Sequence, residues 1–99
     1  MADIKVGEEV LDYVQQLKAI IATLQEAYDQ LQKIDNTIRD NNNYEGKAKE
    51  EIHMFCWSQG THLKKVMGFY NKAAQYAYNY FLEMKFTDDE LSKIIISLF

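Results

Sequence analysis

Apolar side chains in the first third of the chain recur at alternating spacings of four and three residues. The repeat consists of Val10, Val14, Leu17, Ile21, Leu24, Tyr28 and Leu31. This heptad spacing is typical of a helix that packs lengthwise against another helix. Ile34 and Ile38 continue the stripe after a shift in phase, and no proline interrupts it. We therefore predict a long helix from about residue 8 to about residue 40.

A second heptad repeat predicts another long helix, from about residue 47 to about residue 84. Its members are Ile52, Cys56, Gln59, Leu63, Val66, Tyr70, Ala73, Ala77, Tyr80 and Met84. Gly60 is the weakest point of this helix, because glycine inside a helix costs about 1 kcal/mol relative to alanine. A continuous helix and a helix kinked at Gly60 both fit the pattern.

The segment between the repeats, about residues 41–46, is predicted to be a turn. It begins with a run of asparagines, which favour turn conformations. Because a short connection makes two long helices antiparallel neighbours, we predict a helical hairpin. After it, Thr87 and Glu90 fit a capping box that begins a short helix over about residues 88–98. Residues 1–99 thus form one all-α domain, a long antiparallel helical hairpin with a short C-terminal helix.

The second helix carries more apolar surface than one neighbouring helix covers. Six aromatic residues fall between Phe69 and Phe81, and tyrosine, tryptophan and methionine are favoured at interfaces. We predict that this surface binds a helical protein, identical or different, and a homodimer would give a four-helix assembly. The predicted interface residues are Trp57, Met67, Phe69, Tyr70, Tyr76, Tyr80 and Phe81.

Charge and composition argue against two other classes of partner. The net charge is −4, and Arg39 is the only arginine among 11 basic residues, so no arginine-containing basic face is expected for nucleic acid. No apolar run is long enough for membrane insertion. The first residues lack the pattern of a cleaved signal peptide, so we expect synthesis as a cytosolic protein, with any export by a non-classical route.

Chemistry is not expected from this chain. His53, Cys56 and His62 contain one close pair and a distant histidine, whereas structural zinc takes four ligands, usually in two close pairs. Cys56 lies in the middle of a predicted helix, which supplies no oxyanion site. A glycine-rich phosphate loop is absent from the sequence. We therefore predict no catalytic residue, no metal, no cofactor and no enzymatic activity.

Two short motifs lie at the ends of the second helix. Tyr44-Glu45-Gly46 occupies the predicted turn, and Phe86-Thr87-Asp88-Asp89-Glu90 precedes and begins the third helix. Their order resembles the WXG-motif (ESAT-like) family of the type VII secretion system, in which a Trp-x-Gly motif marks the hairpin turn. Here Tyr44 stands in place of tryptophan. The second motif resembles the Phe-x-x-x-Asp export motif of small helical proteins that accompany LXG-domain toxins in Gram-positive bacteria, with Glu90 in place of aspartate.

The resemblance implies a function without chemistry. The chain would be a targeting factor or chaperone that binds the helical N-terminal domain of an LXG toxin, alone or with a second small helical protein. Phe86 and Glu90, with the Tyr44 and Gly46 turn, would form the export signal, and the chain would be secreted with its partner or remain in the cytoplasm. The alternative is a self-assembling structural or adaptor protein without an export role.

Overall fold

The computed structural model describes residues 3–98, and within this range the chain forms three α-helices and no strand. Helix α1 is Ile4–Arg39, α2 is Gly46–Glu83 and α3 is Asp88–Leu98. This confirms the predicted fold class, an all-α hairpin with a short C-terminal helix. Helix α2 is continuous through Gly60, so the glycine does not end it.

The chain divides into two compact units, each of which contains a segment of α1 and a segment of α2. The turn unit is Ile21–Phe69 and includes the connection between the two helices. Among the described residues, the terminal unit comprises residues 3–20 and 70–98, and it includes α3.

Helix α1 begins earlier than the predicted start near residue 8. The Asp3 carboxylate accepts a hydrogen bond of 2.9 Å from the Lys5 backbone N–H, which caps the helix at Ile4. The prediction missed this cap because the apolar repeat begins only at Val10. At the other end, the Asn43 N–H donates to the Asn41 side-chain oxygen at 2.9 Å, so an asparagine does stabilise the turn after Arg39.

The predicted stripe on α1 is largely correct. All seven members from Val10 to Leu31 are buried or half-buried. The prediction is wrong at Ile34, which is 51% exposed, because the strict heptad continues through Asp35 instead. Asp35 is 9% exposed and lies between Leu31 and Ile38 in the repeat. The sequence interpretation chose Ile34 because it is apolar, whereas the buried positions keep the heptad spacing and therefore include Asp35.

Of the two predicted columns of α2, one is correct throughout and the other only in part. Cys56, Leu63, Tyr70, Ala77 and Met84 are buried or half-buried, as expected. The second column is shifted by one residue and consists of Gly60, Met67, Ala74 and Phe81. Of the residues predicted for this column, Gln59, Ala73 and Tyr80 are exposed, whereas Ile52 and Val66 are half-buried. The prediction failed because Gly60 gives no hydrophobic signal and because the other three pairs, Val66–Met67, Ala73–Ala74 and Tyr80–Phe81, are apolar at both positions.

In the terminal unit, α3 packs through Ile94, which is fully buried. The predicted capping box is present: the Thr87 N–H donates to Glu90 Oε1 at 3.0 Å, and the Glu90 N–H donates to Thr87 Oγ1 at 3.2 Å. The Phe86 ring lies against that of Phe81, with centroids 5.3 Å apart.

Gly7 on α1 provides the space that Phe86 occupies. A Cβ atom at position 7 would lie 2.5 Å from Cζ of Phe86 and 3.1 Å from Cδ1 of Ile94. These distances are too short for an unstrained contact, so the packing of the terminal unit requires glycine at this position. By contrast, a Cβ atom at Gly68 on α2 would meet nothing within 4 Å.

We predict that Gly7→Ala lowers the free energy of unfolding by roughly 1–3 kcal/mol, because the new methyl group displaces the Phe86 ring from its packing. Gly68→Ala is the matched control and should raise stability by about 1 kcal/mol, since alanine is the better helix former and the site is open. Urea denaturation followed by circular dichroism measures both changes. Equal gains in the two variants would show that the ring moves aside without cost.

Candidate functional site

The predicted interface residues separate into buried and exposed groups. Met67 and Phe81 are 7% and 6% exposed and belong to the interior of the chain, while Tyr70 is half-buried. Because these side chains already pack within their own units, the surface open to a partner is narrower than the sequence predicted. The four exposed members are Trp57, Phe69, Tyr76 and Tyr80.

Trp57 lies on one side of the turn unit, along a groove between α1 and α2. Tyr28 and Gln32 from α1 line this groove with Trp57, Gly60 and Lys64 from α2. The Gln32 side-chain amide donates to the Tyr28 hydroxyl at 3.0 Å, and the Lys64 ammonium lies 4.8 Å from the centre of the Tyr28 ring. This second contact is a cation–π interaction. This side is therefore mixed in polarity and already engaged in contacts.

The opposite side of the turn unit has a different character. Phe55 and Phe69 on α2 are 62% and 73% exposed, and Ile34 on α1 is 51% exposed. A shallow depression beside Ile34 is lined by Gln30, Lys33, Thr37 and Ile38. Because Gln32 and Trp57 line the groove on one flank of the buried stripes, Ile34 and Phe55 lie on the other flank of their helices.

We call this surface of the turn unit the uncharged face. It comprises Thr23, Ala27, Gln30, Ile34 and Thr37 from α1, and Ile52, Phe55, Gln59, His62, Val66 and Phe69 from α2. Not one of these residues is Lys, Arg, Asp or Glu, although 26% of the chain is charged. Protein surfaces seldom leave such a stretch without charges, and depletion of charge is typical of the core of an interface.

The terminal unit shows the same division. Val14 and Lys18 from α1 line a groove with Asn71, Ala74, Gln75 and Tyr78 from α2. On the opposite flank, Tyr13 and Ile20 of α1 and Tyr76 and Tyr80 of α2 are exposed. Sequence reasoning identified both tyrosines of α2 but missed Tyr13. The signal that could have found Tyr13 is its place in a second heptad column, seven residues before Ile20.

One polar cluster interrupts the interior of the turn unit. Asp35 Oδ2 lies 3.0 Å from Arg39 Nη2 and 2.8 Å from His53 Nδ1. Arg39 Nη2 also lies 2.6 Å from that histidine nitrogen, which can accept a hydrogen bond from Arg39 or donate one to Asp35, but not both at once. Lys49 Nζ donates to the Arg39 carbonyl at 3.0 Å, so the cluster ties the two helices together near the turn.

Cys56 lies beside this cluster and is buried. Burial raises the pKa of the thiol, and the negative charge of Asp35 raises it further. A buried neutral thiol is a poor nucleophile. Among residues 3–98, no group of three or more His, Cys, Asp or Glu side chains is placed to hold a metal ion.

The motif residues differ in how strongly the fold requires them. Phe86 fills the space over Gly7, and Glu90 caps α3, so both have structural roles. Tyr44 and Gly46 are exposed in the turn and at the first residue of α2. A Cβ atom at Gly46 would meet nothing within 4 Å, and no glycine among the described residues has a positive φ angle. The fold therefore makes no demand for glycine at position 46.

Comparison of this chain with family models, curated proteins and solved structures found no match. None of the helices, over the residues that the structure describes, is long and apolar enough to cross a membrane. The surfaces of the chain itself are therefore the guide to what it binds.

We predict that Cys56 reacts with a disulfide reagent near pH 8 at least about tenfold more slowly in the folded chain than in urea, because the thiol is buried and its pKa is raised. Absorbance of the released thiolate follows the rate. Asp35→Asn should speed the reaction by removing a negative charge, whereas Asp29→Asn, at an exposed position, should not. The same raised pKa implies that stability falls as the pH rises through the ordinary thiol range. Equal rates in folded and unfolded protein would contradict the burial.

Proposed function

We propose that this chain is a targeting factor or chaperone of a type VII secretion system, which binds the helical N-terminal domain of an LXG-type toxin. The observation that carries the proposal is the uncharged face, on which Phe55 and Phe69 are 62% and 73% exposed. An apolar strip of this kind on a helical pair fits another helix, since helix-in-groove binding uses anchors spaced by three and four residues.

The turn motif supports the export part of the proposal. Gly46 is exposed and has no steric reason to be glycine, and Tyr44 beside it is 41% exposed. Residues that a fold does not require but that match a motif are candidates for recognition by another protein. Phe86 and Glu90 would contribute to the same signal in addition to their packing and capping roles.

A self-assembling adaptor without an export role is the second candidate. It would use the same uncharged face, and the charges along the edges of that face favour self-association. The two candidates differ in whether a toxin domain binds and whether the chain is needed for export.

We predict that the chain and the helical domain of a toxin encoded beside it elute together at micromolar concentration after co-expression. Phe69→Asp should weaken this binding by at least about tenfold, because it places a charge on an exposed aromatic position within the apolar contact. Trp57→Asp is the matched control: it removes an aromatic residue of similar exposure from the opposite side and should leave binding intact. Size-exclusion chromatography and calorimetry measure both.

Separate elution of the wild-type chain and the toxin domain would refute the chaperone proposal. An equal loss of binding in the two variants, with both folded by circular dichroism, would refute the choice of face.

We predict that Glu90→Gln abolishes export while the fold and partner binding persist. The glutamine carbonyl still accepts the hydrogen bond from the Thr87 N–H, so the cap of α3 is retained while the acidic charge is lost. Glu83→Gln, which removes an exposed acidic charge from the last residue of α2, is the control. Immunoblots of culture medium and cells give the exported fraction. Normal export of the Glu90→Gln protein would show that Glu90 only caps the helix.

A further inference from the structure

The uncharged face has the geometry of a second packing seam. Its α2 members, from Ile52 to Phe69, follow one another at spacings of three and four residues. Its α1 members, from Thr23 to Thr37, do the same. Two neighbouring heptad stripes on one side of a helical pair are typical of a layer that packs on a second pair of helices.

Charged residues line the two outer edges of this face. Glu26 and Lys33 lie along the α1 edge, and Glu51 and Lys65 lie along the α2 edge. All four are exposed, and none forms a salt bridge within residues 3–98. The edges of an interface are where charges select the partner and its orientation.

The register between the two helices fixes the level of these charges. Asp35 contacts His53 at 2.8 Å, and a Cβ atom at Gly60 would lie 3.2 Å from the Tyr28 ring. In two antiparallel helices, residues at the same height have residue numbers that add up to a constant, and both contacts give the same constant. By this rule Glu26 lies at the height of His62, and Lys33 lies at the height of Phe55. At 1.5 Å per residue, Lys65 lies about 4.5 Å along the axis from the level of Glu26. Glu51 lies about 6 Å along the axis from the level of Lys33.

These opposite charges are separated within one chain, because they occupy opposite edges of the face. A second copy turned about a two-fold axis parallel to the helices brings each α1 edge over the α2 edge of the other copy at the same level. Glu26 then meets Lys65 of the second copy, and Lys33 meets Glu51 of the second copy. Two-fold symmetry makes each pair occur twice.

We propose that the uncharged face of the turn unit docks a second copy of this chain, with α1 of each copy antiparallel to α2 of the other. The apolar residues of the two faces, Phe55 and Phe69 among them, pack against each other, and the four edge charges set the orientation. The proposal uses the face to which the proposed function assigns the toxin, but it does not require that function to be correct.

The test is a charge reversal with rescue, on the full chain, in analytical ultracentrifugation at micromolar concentration. The wild-type chain should be a dimer. Glu26→Lys alone and Lys65→Glu alone should each weaken the dimer roughly tenfold or more, because each places like charges together twice. The double variant, Glu26→Lys with Lys65→Glu, restores opposite charges and should recover most of the wild-type affinity. Glu50→Lys, at an exposed position of α2 away from this edge, is the matched control and should not change the affinity.

A monomeric wild-type chain would overturn the proposal, and so would a dimer in which the double variant is no stronger than the single variants. Circular dichroism confirms that each variant folds. A monomer that still co-elutes with the toxin domain refutes the dimer alone. A rescued dimer that binds no toxin refutes the chaperone alone.

Discussion

The packing of the α1 stripe against the α2 column of Gly60, Met67, Ala74 and Phe81 determines what the rest of the surface can do. Small residues in this column let the helices approach closely, as at Gly60, where the Tyr28 ring lies over the backbone of α2. If α2 had packed through the neighbouring column of Gln59, Ala73 and Tyr80, it would be turned by roughly 50° about its axis. Phe55 and Phe69 would then lie closer to α1. Because α2 packs through the column that begins at Gly60, Phe55 and Phe69 remain exposed.

The sequence predicted the features that depend on local chemistry or on an unambiguous period. The α1 stripe and the α3 capping box belong to this group, since apolar residues at heptad spacing and a Thr with a Glu three residues later each have one structural interpretation. The second α2 column could not be predicted, because three of its four members have an apolar neighbour in the competing column and the fourth, Gly60, carries no side chain. Asp35 was missed for a related reason: its burial depends on Arg39 and His53, and His53 is distant in the sequence.

The candidate site was predicted only in part, because exposure is a property of the packed helices. Aromatic residues concentrated on α2 showed that apolar surface was in excess, but not which of them the chain itself would bury. Met67 and Phe81 are buried, whereas Phe55, which lay outside the predicted interface, is exposed. The heptad columns that form the interior determine which exposed side chains lie on each flank of α1 and α2. Trp57 and Phe69 therefore lie on opposite flanks although both were predicted as one interface.

The two proposals for the uncharged face are mutually exclusive on a single chain, since a second copy and a toxin helix would cover the same residues. Apolar contact with Phe55 and Phe69 is available to either occupant, so it gives affinity without selecting between them. Selection must then come from the edges, where Glu26, Lys33, Glu51 and Lys65 are complementary to a second copy in one orientation. A toxin helix that displaces this copy would need either a matching charge pattern or more buried apolar area. On these proposals, the edge charges would determine which of the two complexes the face forms.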